Sequence, residues 1–243
     1  MDAIAVCGRV VLAAGLACSL LTASVAWRFY ELRQDVESSA ALVLALSAAY
    51  SSLTLLVGAL MPLQVVYRRP DVLEMMHRSR YLVFDCVSMP CAVWLPLLAA
   101  QRAAPDGGSR PRALAMLGVD LALAAAHVAM ASWAAGDCAR YPLTTNNCMG
   151  VLYWRPARFT NNMRRPWSYV TRGLWVFAAW RLFRHFDFAP LVVVGAFRAA
   201  FDGHMSQWEF WPWEIFAQPF ATALLAMVLL RSSGVRLLCE GAA

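Results

Sequence analysis

The stretch ALAMLGVDLALAAAHVAMASWAA, residues 113–135, contains one acid and one histidine among side chains that are otherwise apolar or small. A helix needs about 20 mostly apolar residues to cross the hydrocarbon core of a bilayer, and this stretch has that length. It therefore predicts a membrane-spanning helix. Asp120 and His127 are the two ionisable side chains that this helix would carry into the bilayer.

Other apolar runs indicate that the chain crosses the membrane several times. Three runs of similar length lie at residues 4–26, 40–67 and 81–100. Three more are shorter or carry Arg or Glu, at residues 168–186, 190–201 and 211–230. These weaker runs predict tilted spans, or an interfacial helix followed by a re-entrant piece. The predicted fold class is all-α, a polytopic transmembrane helical bundle of about seven helices, with five or six as alternatives. Residues 1–243 are expected to form a single integral membrane domain.

The composition excludes a soluble or a disordered protein. The 243 residues are 60% hydrophobic and 15% charged, whereas a soluble domain has about 25% charged residues. All 21 basic residues are Arg. They are scattered between the apolar runs and form no block, so nucleic acid is not an expected partner. They are instead expected to set the topology and to contact anionic lipid headgroups.

The arginines also predict an orientation. Nine of them lie in residues 67–80 and 136–167, against five in the alternate loops. The positive-inside rule then places the two Arg-rich loops and the N-terminus in the cytoplasm. Residues 24–26 resemble a signal-peptide cleavage site, but Asp2 makes a poor basic n-region, so we expect the first run to be retained.

Acids inside apolar runs are the strongest candidates for functional residues, because an ionised carboxylate inside a bilayer is energetically unfavourable. Asp85 lies in the run 81–100, and Asp120 lies in the run 113–135 on the same helix face as His127. In one hypothesis, a neutral buried Asp is a general acid and His127 contributes to substrate binding. In the other, Asp85 and Asp120 form an interhelical hydrogen bond that serves packing.

The segment from Asp202 to Glu214 contains three acids, one histidine and three tryptophans. It is interpreted either as an aromatic belt at the membrane interface or as the mouth of a pocket. In the pocket, Trp211 and Trp213 would contact a cationic substrate centre and Glu214 would supply a proton. A metal site is not expected, since Asp202 and His204 lack further ligands. No cofactor-binding motif is found.

The polar loop at residues 137–167 lacks helical periodicity and is long for a compact bundle. We expect it to lie on the headgroups. The alternatives are that it caps a cavity or binds a partner.

Two family resemblances are visible. The first three runs resemble the tetraspan MARVEL pattern, with a short first loop and Tyr81-Leu82-Val83-Phe84-Asp85 opening the third run. The additional helices and the lack of a Cys-bearing loop after the third run depart from it. The chain is also similar in length and helix number to small fungal membrane-embedded terpene cyclases, but its second run has no counterpart of their Asn-x-x-Trp-Glu motif. Neither resemblance assigns individual residues.

Two classes of function follow. In the first, the multi-pass protein handles an apolar lipid- or isoprenoid-like molecule as a membrane-embedded cyclase. Asp85, Asp120 or Glu214 would protonate an alkene or epoxide, and aromatic faces would stabilise the carbocation. In the second, a non-enzymatic, MARVEL-like protein organises a membrane patch or binds partners. Membrane lipids are expected partners in both classes, and a small apolar substrate only in the first.

Overall fold

A computed structural model of the chain describes residues 3–60, 70–88, 90–91, 93–95, 97–98, 110–139, 143–148, 151–156, 170, 173–181, 220, 222–227 and 229–231. The long helices are α1 (Ala3–Arg33), α2 (Val36–Leu60), α3 (Pro70–Leu82) and α4 (Arg110–Ala139). A π-helical turn, Val83–Ser88, continues α3. Shorter helical pieces include the described residues within 90–98, 173–181 and 222–231. They are called segments 90–98, 173–181 and 222–231 below. Two strands, β1 (Leu143–Cys148) and β2 (Val151–Pro156), complete the described structure.

The prediction of a mostly helical chain is confirmed for the described residues. Three helical stretches are long and apolar enough to cross a membrane: α1, α2 and the Leu114–Trp133 part of α4. A bundle of seven full spans stays a prediction, because the other described helical pieces are shorter. The predicted run 190–201 lies outside the described residues.

The third predicted run differs from a regular span. The helix begins earlier, at Pro70 in α3, and passes into the π-helical turn that contains Asp85. The hydroxyl of Ser88 donates to the carbonyl of Val83, five residues earlier, at 3.0 Å. A π turn inserts an extra residue into a helix and changes the direction in which later side chains point. Apolar composition alone does not indicate this change.

A β-hairpin occupies part of the predicted polar loop, which corrects the all-α prediction in this region. The strands pair antiparallel, from Leu143 opposite Pro156 to Cys148 opposite Val151. Residues that favour strands are frequent in both, and they include Thr144, Thr145, Tyr153 and Trp154. Val151 is buried in a small cluster with Leu12, Leu55 and Ala59. The hairpin therefore packs at the end of the bundle where α1 begins and α2 ends.

Helices α1 and α2 pack through small side chains. Apart from Leu12, the buried residues of α1 are Gly, Ala, Ser or Thr, and α2 follows the same pattern apart from Glu37, Leu44 and Leu55. Apolar side chains gain little from leaving lipid, so helices in membranes associate mainly through close packing, which small residues permit. The hydroxyls of Ser19 and Thr22 donate to carbonyls one turn earlier, at 2.8 and 2.9 Å, which satisfies them within α1.

A tight turn joins α1 to α2. Gln34 has a positive φ of 50°, which reverses the chain after α1 ends at Arg33. Asp35 then caps α2, because its Oδ1 accepts the backbone N–H of Ser38 at 2.8 Å. This short connection keeps the two helices antiparallel and adjacent.

The chain from α3 onward runs back along α2. The hydroxyls of Tyr50 and Ser79 lie 2.6 Å apart, and those of Ser47 and Ser88 are hydrogen-bonded further along. The main hydrophobic core lies beyond, at the end where α1 finishes and α2 begins. Its buried members are Ala23, Ala26, Ala40, Ala41, Leu44, Ala45, Val93, Trp94, Leu97, Trp175, Ala178, Ala179, Leu225, Ala226, Leu229 and Leu230.

The packing of α1 can be tested at Gly15. A Cβ atom there would lie 3.4 Å from Phe220 Cε2 and 3.5 Å from Ser52 Oγ, so Ala fits and a larger side chain does not. We expect Gly15→Leu to destabilise the protein by about 1–3 kcal/mol through overpacking, and Gly15→Ala to be tolerated. Gly118→Leu is the matched control, since a Cβ at Gly118 meets no atom within 4 Å. Thermal unfolding in detergent measures the effect, and equal losses at Gly15 and Gly118 would contradict it.

Candidate functional site

A narrow buried strip on α4 contains two of the predicted site residues. Among the described side chains of α4, the buried ones are Asp120, His127 and Ala131. In the apolar part of α4, only 17% of the residues are buried, whereas 61% are buried in the corresponding part of α2. Asp120 and His127 are seven residues apart, which places them on one face about 10 Å apart along the helix axis. The contact of α4 with the bundle is therefore concentrated on its polar side chains.

Asp120 forms an ion pair with Arg181 of segment 173–181. The Nη1 of Arg181 donates to Oδ1 of Asp120, whose side chain is fully buried, and the Arg181 side chain is 15% exposed. The guanidinium carbon of Arg181 also lies 5.8 Å from the ring centroid of Phe177, one turn earlier on the same segment. Arg181 is thus held between an aromatic face of its own helix and a carboxylate of α4.

The energetic reason for this pair is the low polarity of its surroundings. An isolated Asp or Arg at the centre of a spanning helix costs about 2.5–3.5 kcal/mol on insertion scales. Removing one partner of a buried pair leaves an uncompensated charge, whereas replacing both partners by apolar groups can be neutral. Each residue therefore makes the other tolerable inside the bundle.

His127 makes a separate contact with segment 90–98. The indole Nε1–H of Trp94 donates to His127 Nδ1 at 2.9 Å, and the two rings meet edge-on with centroids 6.4 Å apart. Because Nδ1 accepts this hydrogen bond, we assign the neutral tautomer of His127 with its proton on Nε2. Trp94 is itself part of the main core, so the contact ties α4 to that core.

The predicted site residues are brought together only in part. Asp120 and His127 share a face of α4, but each binds a different segment of the chain. The backbone of Asp85 lies in the π-helical turn, and its side chain is outside the described structure. Glu214, Trp211 and Trp213 also lie outside the described residues. Their predicted roles stay predictions.

Two partners in the site were not predicted, namely Arg181 and Trp94. Arg181 ends an apolar stretch, Gly173–Trp180, that is free of charge. A basic residue at such a position is unfavourable unless a buried acid neutralises it. This feature of the sequence could have identified Arg181 as a partner of Asp120. Trp94 has no comparable signal, because an indole inside an apolar run is ordinary. Within the described part of the chain, no three His, Cys, Asp or Glu residues are grouped as a metal site requires.

A second buried polar region lies on α3. His77 is fully buried and Arg80, one turn later, is 4% exposed. Burial, and secondarily the charge of Arg80, hold the pKa of His77 well below its ordinary value of 6.5. The hydrogen bond between Tyr50 and Ser79 lies beside this region and joins α3 to α2. His77 is therefore a neutral packing residue at pH 7.

The ion pair predicts that the effects of mutating its two members do not add. Asp120→Asn and Arg181→Gln should each destabilise the protein by roughly 3 kcal/mol, because each leaves a buried charge without its opposite. The double variant Asp120→Leu with Arg181→Leu should lie close to wild type. Thermal unfolding in detergent is the measurement. Asp71→Asn, an exposed acid on α3, is the control, and losses that simply add in the double variant would contradict the pairing.

His77 predicts a pH dependence of stability. The pKa of His77 is lower in the folded protein than in the unfolded chain, so protonation favours unfolding. Stability should be retained above pH 6.5 and should fall as the pH decreases below that value. His77→Gln should flatten this acid-side decline in thermal unfolding measured between about pH 7 and pH 5. An unchanged slope in the variant would rule out His77 as the titrating group.

The arrangement as a whole is an interhelical polar contact system. One ion pair and one hydrogen bond fasten α4 to segments 173–181 and 90–98. Such contacts can orient helices and hold a carboxylate in place inside an apolar bundle. Comparisons of the chain with protein-family models, curated proteins and solved structures found no match.

Proposed function

We propose that this chain is a multi-pass integral membrane protein that organises membrane components or binds partners without catalysing a reaction. The supporting observation is that the Asp120 carboxylate is engaged by Arg181 from another helical segment. Oδ1 of Asp120 is bound by the Arg181 guanidinium, so this oxygen already serves a contact between two helical segments. Asp120 is thus better suited to holding helices together than to protonating an alkene.

The exposed surface supports the same proposal. Large apolar side chains are exposed along both α1 and α4, and they include Val10, Leu21, Leu114 and Trp133. In a multi-pass arrangement these faces are available to lipid tails or to apolar surfaces of other membrane proteins. Asp120 and His127 of α4 are buried in the bundle instead, and this separation is expected of a helix that a membrane surrounds on most sides.

The second candidate function is the acid-initiated chemistry of a lipid- or isoprenoid-like molecule, now centred on Asp85. Its support is the π-helical turn at Val83–Ser88, because π turns in proteins are frequently found at functional sites. In this alternative Asp85 would donate the proton, with Glu214 as a further candidate. Trp211 and Trp213 would then contact the developing cation.

An exchange of acids for amides separates the two candidates. In cells that lack their own copy of the gene, we expect Asp85→Asn, Glu214→Gln and the double variant Asp120→Asn with Arg181→Gln each to restore the wild-type phenotype. The double variant removes the acid but leaves both sites neutral and able to hydrogen-bond, so helix packing is preserved. The single variant Asp71→Asn, which changes an exposed acid on α3, is the control.

The readouts are the cellular phenotype and mass spectrometry of apolar lipids extracted from the membranes. Unchanged lipid profiles together with restored phenotypes support the non-enzymatic proposal. A folded variant that loses the phenotype while an apolar precursor accumulates would overturn it, and the variant concerned would identify the acid.

A further inference from the structure

Segment 173–181 is poorly suited to entering a bilayer alone. Its charge-free stretch is eight residues long, Gly173–Trp180, and Arg172 and Arg181 flank it. A full span requires about 20 mostly apolar residues. Nevertheless Trp175, Ala178 and Ala179 are buried in the main core. Something other than its own hydrophobicity must favour this position.

The segment also lies far from the part of the chain that precedes it. Val151 of the hairpin is clustered with Leu12 and Leu55, near the end of the bundle where α2 finishes. Trp175 shares a cluster with Ala26 and Ala40, near the end where α2 begins. Those two positions on α2 are separated by about 22 Å along the helix axis. Val151 and Trp175 therefore lie toward opposite ends of α2, and Arg181 belongs to the same segment as Trp175.

The Arg181 side chain is bound by other side chains of the described structure. Arginines near helix ends in membranes usually snorkel to the headgroups. Here the guanidinium lies over Phe177 of its own segment and bonds Asp120 of α4. The partner that receives Arg181 is therefore a side chain of the bundle. Asp120 is synthesised 61 residues earlier, in a helix apolar enough to insert by itself.

We infer that Asp120 acts as the counter-ion that admits segment 173–181 into the bundle during membrane assembly. α4 inserts first and carries a buried carboxylate, and the later segment enters because Arg181 is neutralised on arrival. This inference rests on the part of the proposed function that makes the chain a multi-pass membrane protein. It does not depend on whether the protein catalyses a reaction. In this role Asp120 is a residue that positions another segment.

The test uses the full chain translated into microsomes, with a glycosylation acceptor in a Gly/Ser-flanked insert between Asp187 and Phe188. In the wild-type chain the acceptor is either glycosylated or not, and this state is the reference for a chain whose segment 173–181 has inserted. We expect Asp120→Ala to shift most molecules to the opposite state, because Arg181 then has no counter-ion. Arg181→Leu should keep the wild-type state, since a segment without that charge needs no carboxylate.

The double variant Asp120→Ala with Arg181→Leu should return to the wild-type state. His127→Ala is the matched control on the same face of α4 and should leave the acceptor unchanged. The inference is overturned if Asp120→Ala keeps the wild-type state, if the double variant fails to recover, or if His127→Ala has the same effect as Asp120→Ala. A purely packing role for the pair predicts no such asymmetry between the two single variants.

The same variants separate this inference from the proposed function. If the double variant inserts normally but its membranes lack a lipid product present in the wild type, the non-enzymatic proposal fails and the assembly role stands. If Asp120→Ala inserts normally and the phenotype is retained, the assembly role fails and the proposed function stands.

Discussion

An aspartate and an arginine that meet between apolar helices are tolerable there as a pair and unfavourable apart, and much of this structure depends on that constraint. The pair of Asp120 and Arg181 fixes where segment 173–181 lies against α4. α4 has little other buried surface by which to hold its place. The hydrogen bond between Trp94 and His127 adds a second fixed point on the same face. These two polar contacts favour one rotation of α4 about its own axis. The rotation of a purely apolar helix in lipid would be less well defined.

The first two helices follow a different physical rule. α1 and α2 are joined by a short capped turn and pack through Gly, Ala, Ser and Thr side chains, with no ion pair between the two helices among the contacts described for them. Close backbone approach provides many weak contacts that are individually small and collectively large. The bundle therefore combines a tightly packed helical hairpin with a more loosely covered helix held by specific polar groups.

Hydrophobicity and helical periodicity were sufficient to predict part of this arrangement. The apolar runs at residues 4–26, 40–67 and 113–135 predicted α1, α2 and α4, and a spacing of seven residues placed Asp120 and His127 on one face. Their partners could not be predicted, because Arg181 and Trp94 are 61 and 33 residues distant in sequence and three-dimensional packing alone brings them close. The hairpin was missed because its strands are only six residues long and β1, which contains Thr144, Thr145, Asn146 and Asn147, is largely polar. The two strands are stabilised by pairing with each other and by the burial of Val151. A search for helical periodicity detects neither feature.

The π-helical turn has a geometric consequence for the rest of the bundle. One extra residue in a helix rotates everything after it by about 100° relative to what precedes it. In this chain the turn at Val83–Ser88 separates the face of α3 that contacts Tyr50 from the face of segment 90–98 that presents Trp94 to His127. The inserted residue thus acts as a phase shift in the helical repeat between α3 and the residues that follow the turn. A chain one residue shorter at this point would lose this rotation, and a helix continuing from α3 would direct its later side chains about 100° differently.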